Sequence, residues 1–312
     1  RRPQRNATRL TPLLTFVSAV TFFDQTEPTS THPDSQLGGA PVQTFNHGST
    51  INRATWSPNG DLLMTWMNDP NFVGITTVKI WDVADGSTVQ TFNPGYSIVT
   101  AAWSPDQTRI LIATSDGKIQ IWDIESGEKL QEMSHDDVPW GATWVSAGDQ
   151  ILSWSADSTA RLWDVETGQQ IHKWQHEGQV GGALFNPDEH RVLTWSADGA
   201  VVVWERGSGQ EVIRYKHDDW VIRAHWSPDG NRIVSISADN TIRVTNSTTG
   251  NLIYNFQLDE RPVDAVWNED GSVLLANLNG FVRAWNGTTG QEIYDITPPN
   301  TVTISDVQWL PS

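Results

Sequence analysis

The chain carries 312 residues, no cysteine, and 20 Lys and Arg against 37 Asp and Glu, for a formal net charge of −17. Without cysteine there is no disulfide, thiol nucleophile or thiolate metal site, and so acidic a chain argues against nucleic acid, whose phosphates need concentrated Lys and Arg. No stretch reaches the roughly 18 apolar residues of a membrane-spanning helix; the missing thiols suit a reducing interior and many secreted proteins alike, so the compartment stays open.

Tryptophan sets a ruler. Trp81, Trp122, Trp163 and Trp204 stand 41 residues apart, with Thr245 on the next mark and Trp285 one short of the one after. A second register runs through Trp56, Trp103, Trp144, Phe185, Trp226, Trp267 and Trp309. Self-similarity at a period of about 40–45 residues indicates a propeller or solenoid. Length alone would suggest two domains, but closed all-β folds exceed that prior as one domain, and the unbroken ruler leaves no linker.

Along the chain, Arg1, Arg2, Arg5 and Arg9 form the only basic cluster and read as a solvated tail. Leu13–Val17 and Val20–Asp24 read as strands, the second aligning with Ile119–Asp123 apolar position for apolar position. Residues 26–39, rich in Pro, Thr, Ser and Gly, read as a surface insertion. Val42-Gln-Thr-Phe-Asn46 repeats Val89–Asn93 letter for letter and reads as an outer strand. Six units then occupy 47–298. In Ala101–Met133, turn signals Pro-Asp, Ser-Asp-Gly and Glu-Ser-Gly separate strand a around Trp103, b at Ile110–Thr114, c at Ile119–Trp122 and d at Lys129–Met133. No window sustains a helical period, so the chain is expected to be all-β.

The final segment, 299–312, offers a seventh strand a, Val302–Leu310, with no b or c after it. The expectation is that residues 1–46 supply strands b, c and d of this closing blade, because pairing the two ends removes open strand edges. A rival reading makes Arg1–Phe23 a retained leader with a Val17-Ser-Ala19 cleavage pattern. The missing initiator Met points to processing, or to excision from a longer precursor.

The phrases Trp-Ser-Pro-Asp/Asn-Gly (56–60, 226–230), Ser-Ala-Asp (155–157, 196–198, 237–239) and Trp-Asp (81–82, 122–123, 163–164) resemble the WD40-repeat family over Pro41 to Ser312. In later units the motif decays to Trp204-Glu205, Thr245-Asn246 and Trp285-Asn286. The resemblance implies a seven-bladed WD40-type β-propeller, its ring closed by N-terminal strands pairing with the C-terminal strand. It also implies a non-catalytic platform for protein–protein interaction.

Three units carry His and Asp at one separation, His135 with Asp157, His176 with Asp198 and His217 with Asp239, and Ser155, Ser196 and Ser237 precede each Asp by two. Such a set invites a hydrolase reading, since a nucleophile needs a base and the base an orienter. A triad, however, occurs once per protein, and this set recurs unit after unit. With Trp163 and Trp204 it resembles the family's structural hydrogen-bond network, so no catalytic residue is expected. Even spacing around a ring also separates the groups too far to share a metal, and no phosphate-cradling Gly-rich loop occurs; neither metal nor cofactor is expected. Asn6, Asn246 and Asn286 open glycan-acceptor patterns, but the last two stand where other units have a turn Asp.

The residues left for recognition lie on the connections between d and a: Asp136, Asp137 and Trp140; Asp218, Asp219 and Trp220; Glu177; Asp259 and Glu260; and Tyr96. An insertion at Asn68–Ile75 is expected to lift Phe72 above the same face. Acidic groups beside aromatics suit a basic or Arg-bearing protein or peptide, although Asp after His would equally cap a turn. The expected role is docking subunit of a hetero-oligomeric complex. The rivals are a sensor or regulatory propeller excised from a multidomain signalling protein, and a propeller enzyme.

Overall fold

A computed structural model describes residues 19–23, 41–47, 51–68, 76–278 and 281–296, and among them there is no helix. Six four-stranded antiparallel sheets follow one another, each paired in the order a-b-c-d. The first is Arg53–Trp56, Leu62–Asn68, Thr76–Asp82 and Thr88–Phe92. The second is Ile98–Trp103, Arg109–Thr114, Lys118–Asp123 and Lys129–Ser134, and the third Pro139–Trp144, Gln150–Ser155, Thr159–Asp164 and Gln170–Gln175. Next come Val180–Phe185, Arg191–Ser196, Ala200–Glu205 and Glu211–Lys216, then Val221–Trp226, Arg232–Ser237, Thr241–Asn246 and Leu252–Gln257. The sixth is Asp264–Trp267, Val273–Asn277, Val282–Asn286 and Glu292–Ile296.

Burial explains why these strands are not simply alternating. Strand b of the second sheet, Ile110–Thr114, and strand c of the third, Thr159–Trp163, are buried along their length, whereas strand d of the third buries Trp174 alone. Strands b and c are covered by neighbouring sheets on both faces, which selects continuous apolar runs such as Ile-Leu-Ile-Ala. Strand d keeps one inward residue, and that residue joins the sheets. Phe92 meets Trp122 of the next sheet at 5.7 Å, Trp174 meets Trp204 at 6.1 Å, and Phe256 stacks on Trp285 at 4.7 Å. Met133 fills the same place beside Trp163. Where Thr245 replaces the indole, strand d answers with Tyr215, whose hydroxyl donates to Ser235 Oγ at 3.2 Å; burial pushes that phenol up to about 12, so it remains a donor.

The turns account for the motif residues. Ser104 Oγ donates to Asp106 and accepts the Arg109 amide at 3.0 Å, closing the turn from a to b, and Ser57 and Ser227 do the same. The Asp of Trp-Asp closes the turn from c to d: Asp164 Oδ1 accepts both the Thr167 amide and its hydroxyl, at 2.8 and 2.7 Å. Asn246 and Asn286 accept the equivalent amides through Oδ1, so decay to Asn preserves the chemistry.

Ala19–Phe23 and Pro41–Asn46 form a separate antiparallel pair. Val20 lies opposite Phe45 as Ile119 lies opposite Met133, and the register skips Val42 as it skips Leu130. The pair thus has the register and bulge of a c–d pair. Phe45 is fully buried, edge-on to Trp81 at 5.8 Å and clustered with Leu63, the relation that Phe92, Met133, Trp174 and Phe256 bear to the following sheets. Leu13–Val17 and Val302–Leu310 lie outside the described residues.

If this N-terminal pair is packed as the other sheets are, Phe45→Ala should cost about 3–5 kcal/mol, as for a buried aromatic. The urea midpoint measures it, and a loss below about 0.5 kcal/mol, typical of an exposed site, would refute the packing.

Candidate functional site

The three His/Asp sets sit where the connection between d and a of one sheet meets the b–c turn of the next. The backbone amide of His135 donates to Gly117 O of the sheet it leaves, at 2.9 Å. Its ring enters the following sheet, with Nδ1 2.9 Å from Asp157 Oδ2 and Nε2 2.8 Å from Ser153 Oγ. The Trp163 indole donates to the same hydroxyl at 2.8 Å. A Cβ at Gly117 would stand 2.9 Å from His135 O, and φ is +91°, so this turn needs glycine. Arg161, itself buried, donates to Thr159 Oγ1, Ser134 O, Asp157 and Asp136.

The hydroxyl that joins imidazole to indole is therefore Ser153, and in the next unit Thr194, while Ser235 joins the His217 imidazole to the Tyr215 phenol. Ser155 has a different place: it donates to Asp137 O and Val138 O and accepts the Asp157 amide. Ser196 and Ser237 bind Gly178 O and Asp219 O in the same way. His217 stands 3.3 Å from Asp239 and 2.9 Å from Thr241 Oγ1. His176 lies 3.8 Å from Asp198, and its Nδ1 has no hydrogen-bond partner. Ala200 stands where Thr159 and Thr241 present a hydroxyl to the ring; Asp198 keeps the Glu177 and Ala200 amides, as Asp157 and Asp239 keep theirs.

A fourth histidine was not singled out in the sequence. His47 bonds Thr65 Oγ1 at 2.7 Å and Thr77 Oγ1 at 2.8 Å, and Trp81 donates to that Thr65. The signal was there, since His47 precedes Thr65 by 18 residues as His135 precedes Ser153. In the second sheet Pro94 takes the histidine's mark, and Gln120 bridges Pro94 O to the Trp122 indole.

Burial holds His47, His176 and His217 down at about 4 and pushes His135 in the same direction. A neutral His135 satisfies every partner: Nδ1–H donates to Asp157, and Nε2 accepts from Ser153, whose oxygen accepts the indole proton. Burial opposes ionisation of Asp157, but hydrogen bonds from His135, Thr159 and the Asp136 amide outweigh it and hold the carboxyl below the usual range.

The loops at this end also carry the residues expected to recognise a partner. Tyr96 and Trp140 are each 55% exposed and Trp220 39%. The carboxylates are less free than the sequence suggests. Asp136 bonds Arg161 at 2.7 Å, and Glu177 pairs with Lys216 at 3.0 Å. Asp137 and Asp219 accept the Val138 and Trp220 amides. Asp218 gives its amide to Asp239, Asp259 and Glu260 are exposed, and Arg261 lies over Trp220, 4.4 Å from the ring centre. Phe72 falls outside the described residues.

The family model for the WD40 domain of anaphase-promoting complex subunit 4 matches residues 54–147 and 192–270, more than half of the chain. Comparison with curated proteins returns no match.

Two outcomes follow from this geometry. Asp157→Ala removes the buried carboxylate shared by His135 and Arg161 and should cost about 3–5 kcal/mol, as for one half of a buried ion pair. Asp198→Ala, whose histidine is not bonded to it and whose unit has Val202 on the mark of Arg161, should cost about 1–2 kcal/mol; equal losses in denaturant titrations would contradict the difference. The buried imidazoles bind protons less readily folded, near pH 4, than unfolded, near 6.5. The stability they confer is thus complete above pH 6.5 and lost as pH falls through 4. The thermal midpoint should drop across that window, and less steeply in a His176→Gln, His217→Gln variant.

Proposed function

The chain belongs to the WD40-repeat family, and on that premise we propose that it is a docking subunit of a larger protein assembly, built as a seven-bladed ring. The c–d register of Ala19–Phe23 with Pro41–Asn46, and the burial of Phe45 against Trp81, support the ring. In it the N-terminus provides b, c and d of the closing blade, and Val302–Leu310 provides a. The same family relation and the closed hydrogen bonding of the His/Asp sets support a non-catalytic role. Ser153 and Ser155 are fully buried, and Ser153 holds an indole and an imidazole at once, leaving no accessible nucleophile there.

The observation that carries the docking role is the exposure of Tyr96 and Trp220 on loops, and of Trp140 in strand a rather than on the connection before it, where the backbone is otherwise tied down. Rigid aromatics exposed at little entropic cost are what a binding surface needs. Asp218, Asp259 and the outer oxygens of Asp136 and Glu177 give the face its acidic rim. The partner is a protein or peptide of basic character, drawn in by long-range attraction and held by the aromatics.

Capture of partners from the native source by the full chain tests this. Trp140→Ala with Trp220→Ala should abolish the captured set at any salt, while charge reversal of Asp136, Asp137, Asp218 and Asp219 should weaken it most at low salt. Reversal of Glu125, Glu128 and Glu166 on the opposite turns should leave it unchanged. Loss in that control with retention in the loop variants would move the docking face elsewhere.

A further inference from the structure

At the other end of the strands, the aromatic that ends strand a packs beside the a–b turns, and in several units it is covered by an arginine of the chain. Arg109, which opens strand b of the second sheet, lies 5.3 Å from the Trp144 ring centre, and Arg232 lies 4.5 Å from that of Trp267. Each arginine precedes its tryptophan by 35 residues. Gln150 holds that mark before Phe185, and there Arg206, bonded to the Gln150 amide oxygen, covers the ring at 5.4 Å.

Trp103, with Leu62 opening the preceding strand b, is buried without a cation over it among the described residues, and the pattern breaks again at Trp226. Arg191 stands on the mark, but its guanidinium is drawn to the c–d turn of the next sheet: Nη1 donates to Ser247 O at 3.4 Å and Thr248 Oγ1 at 3.3 Å, with Glu205 at 3.9 Å. Among the described residues no cation lies over Trp226. Trp226 is half-buried where Trp103, Trp144 and Trp267 are buried. Beside it lies an open, shallow cleft of about 380 Å3, walled by Leu184, Phe185, His225, Val266 and Trp267. The Trp267 indole N–H, buried at this wall, has no acceptor. Pro187 and Pro228 edge the cleft, and Asp188 and Asp229 follow them in sequence.

We propose that this cleft seats an arginine side chain of a partner protein, its guanidinium over the Trp226 ring as the chain's own arginines stand over Trp144, Phe185 and Trp267. The chain's own pairs show that this environment accepts a guanidinium against an aromatic face. A planar cation desolvates against the apolar walls more readily than an ammonium, and the net charge of −17 favours its approach. The site is on the opposite face from the exposed loop aromatics and does not depend on their role.

Indole N–H signals of the full chain, assigned by nuclear magnetic resonance, test it with the capped tripeptide acetyl-Gly-Arg-Gly-amide. The Trp226 and Trp267 signals should shift saturably with the arginine peptide. The citrulline peptide, of the same shape without the charge, should bind at least about tenfold more weakly, as should the arginine peptide with Trp226→Leu at an unchanged thermal midpoint. Equal shifts with citrulline, undiminished binding by Trp226→Leu, or no shift at Trp226 would each overturn the site. Shifts confined to Trp140 and Trp220 would overturn it while leaving the loop face as the docking surface.

Discussion

A histidine whose backbone belongs to one sheet and whose ring belongs to the next is the fastening on which the array depends. The His135 amide is held by Gly117 O, while its imidazole meets Asp157 and Ser153 across the boundary. Packing alone would let two slabs of Ile and Val slide, because burial is non-directional. Directed bonds to buried partners do not slide without leaving polar groups bare. The bond to the Trp163 indole then ties the polar fastening to the apolar one, since that indole is also the surface on which the preceding strand d packs.

What is kept from the first unit to the fifth is therefore filled volume and a polar bridge across the sheet boundary. Tyr215 supplies bulk and a proton where Thr245 supplies neither. Gln120 reaches both the indole and the loop carbonyl where Pro94 has no imidazole to offer. Gly141 and Gly182 lie opposite Trp154 and Trp195, so close that a Cβ would stand 2.2 and 1.9 Å from the rings. Sequence drift in such an array is compensated across a strand pair or a sheet boundary, seldom at the drifting residue itself.

The period, the turn chemistry and the all-β class were legible because each rests on local spacing: Trp-Asp and Ser-Pro-Asp report turns that close within five residues. The fastening was legible only in part. Ser155 stands out because it lies two residues before Asp157, yet the bridging hydroxyl is Ser153, two residues earlier on the same face of the strand and with no neighbouring mark. His47 was hidden because the insertion at 69–75 lengthens its distance to Trp81, though not to Thr65. The acidity of the rim was overread, since Arg161 and Lys216 are too distant in sequence from Asp136 and Glu177 to be paired by inspection. Spatial neighbours from different strands leave no fixed offset when the cation recurs in only some units.

The fastening also has a sense of direction. In each of these four cases the histidine precedes, in the chain, the Ser or Thr that receives it. On the ribosome, where the N-terminal part emerges first, each clasp is consequently presented before the sheet it grips has been made. A newly completed sheet closes onto a neighbour already in place, with only its own outer strand exposed. The array can thus be laid down vectorially, each unit templating the one translated after it.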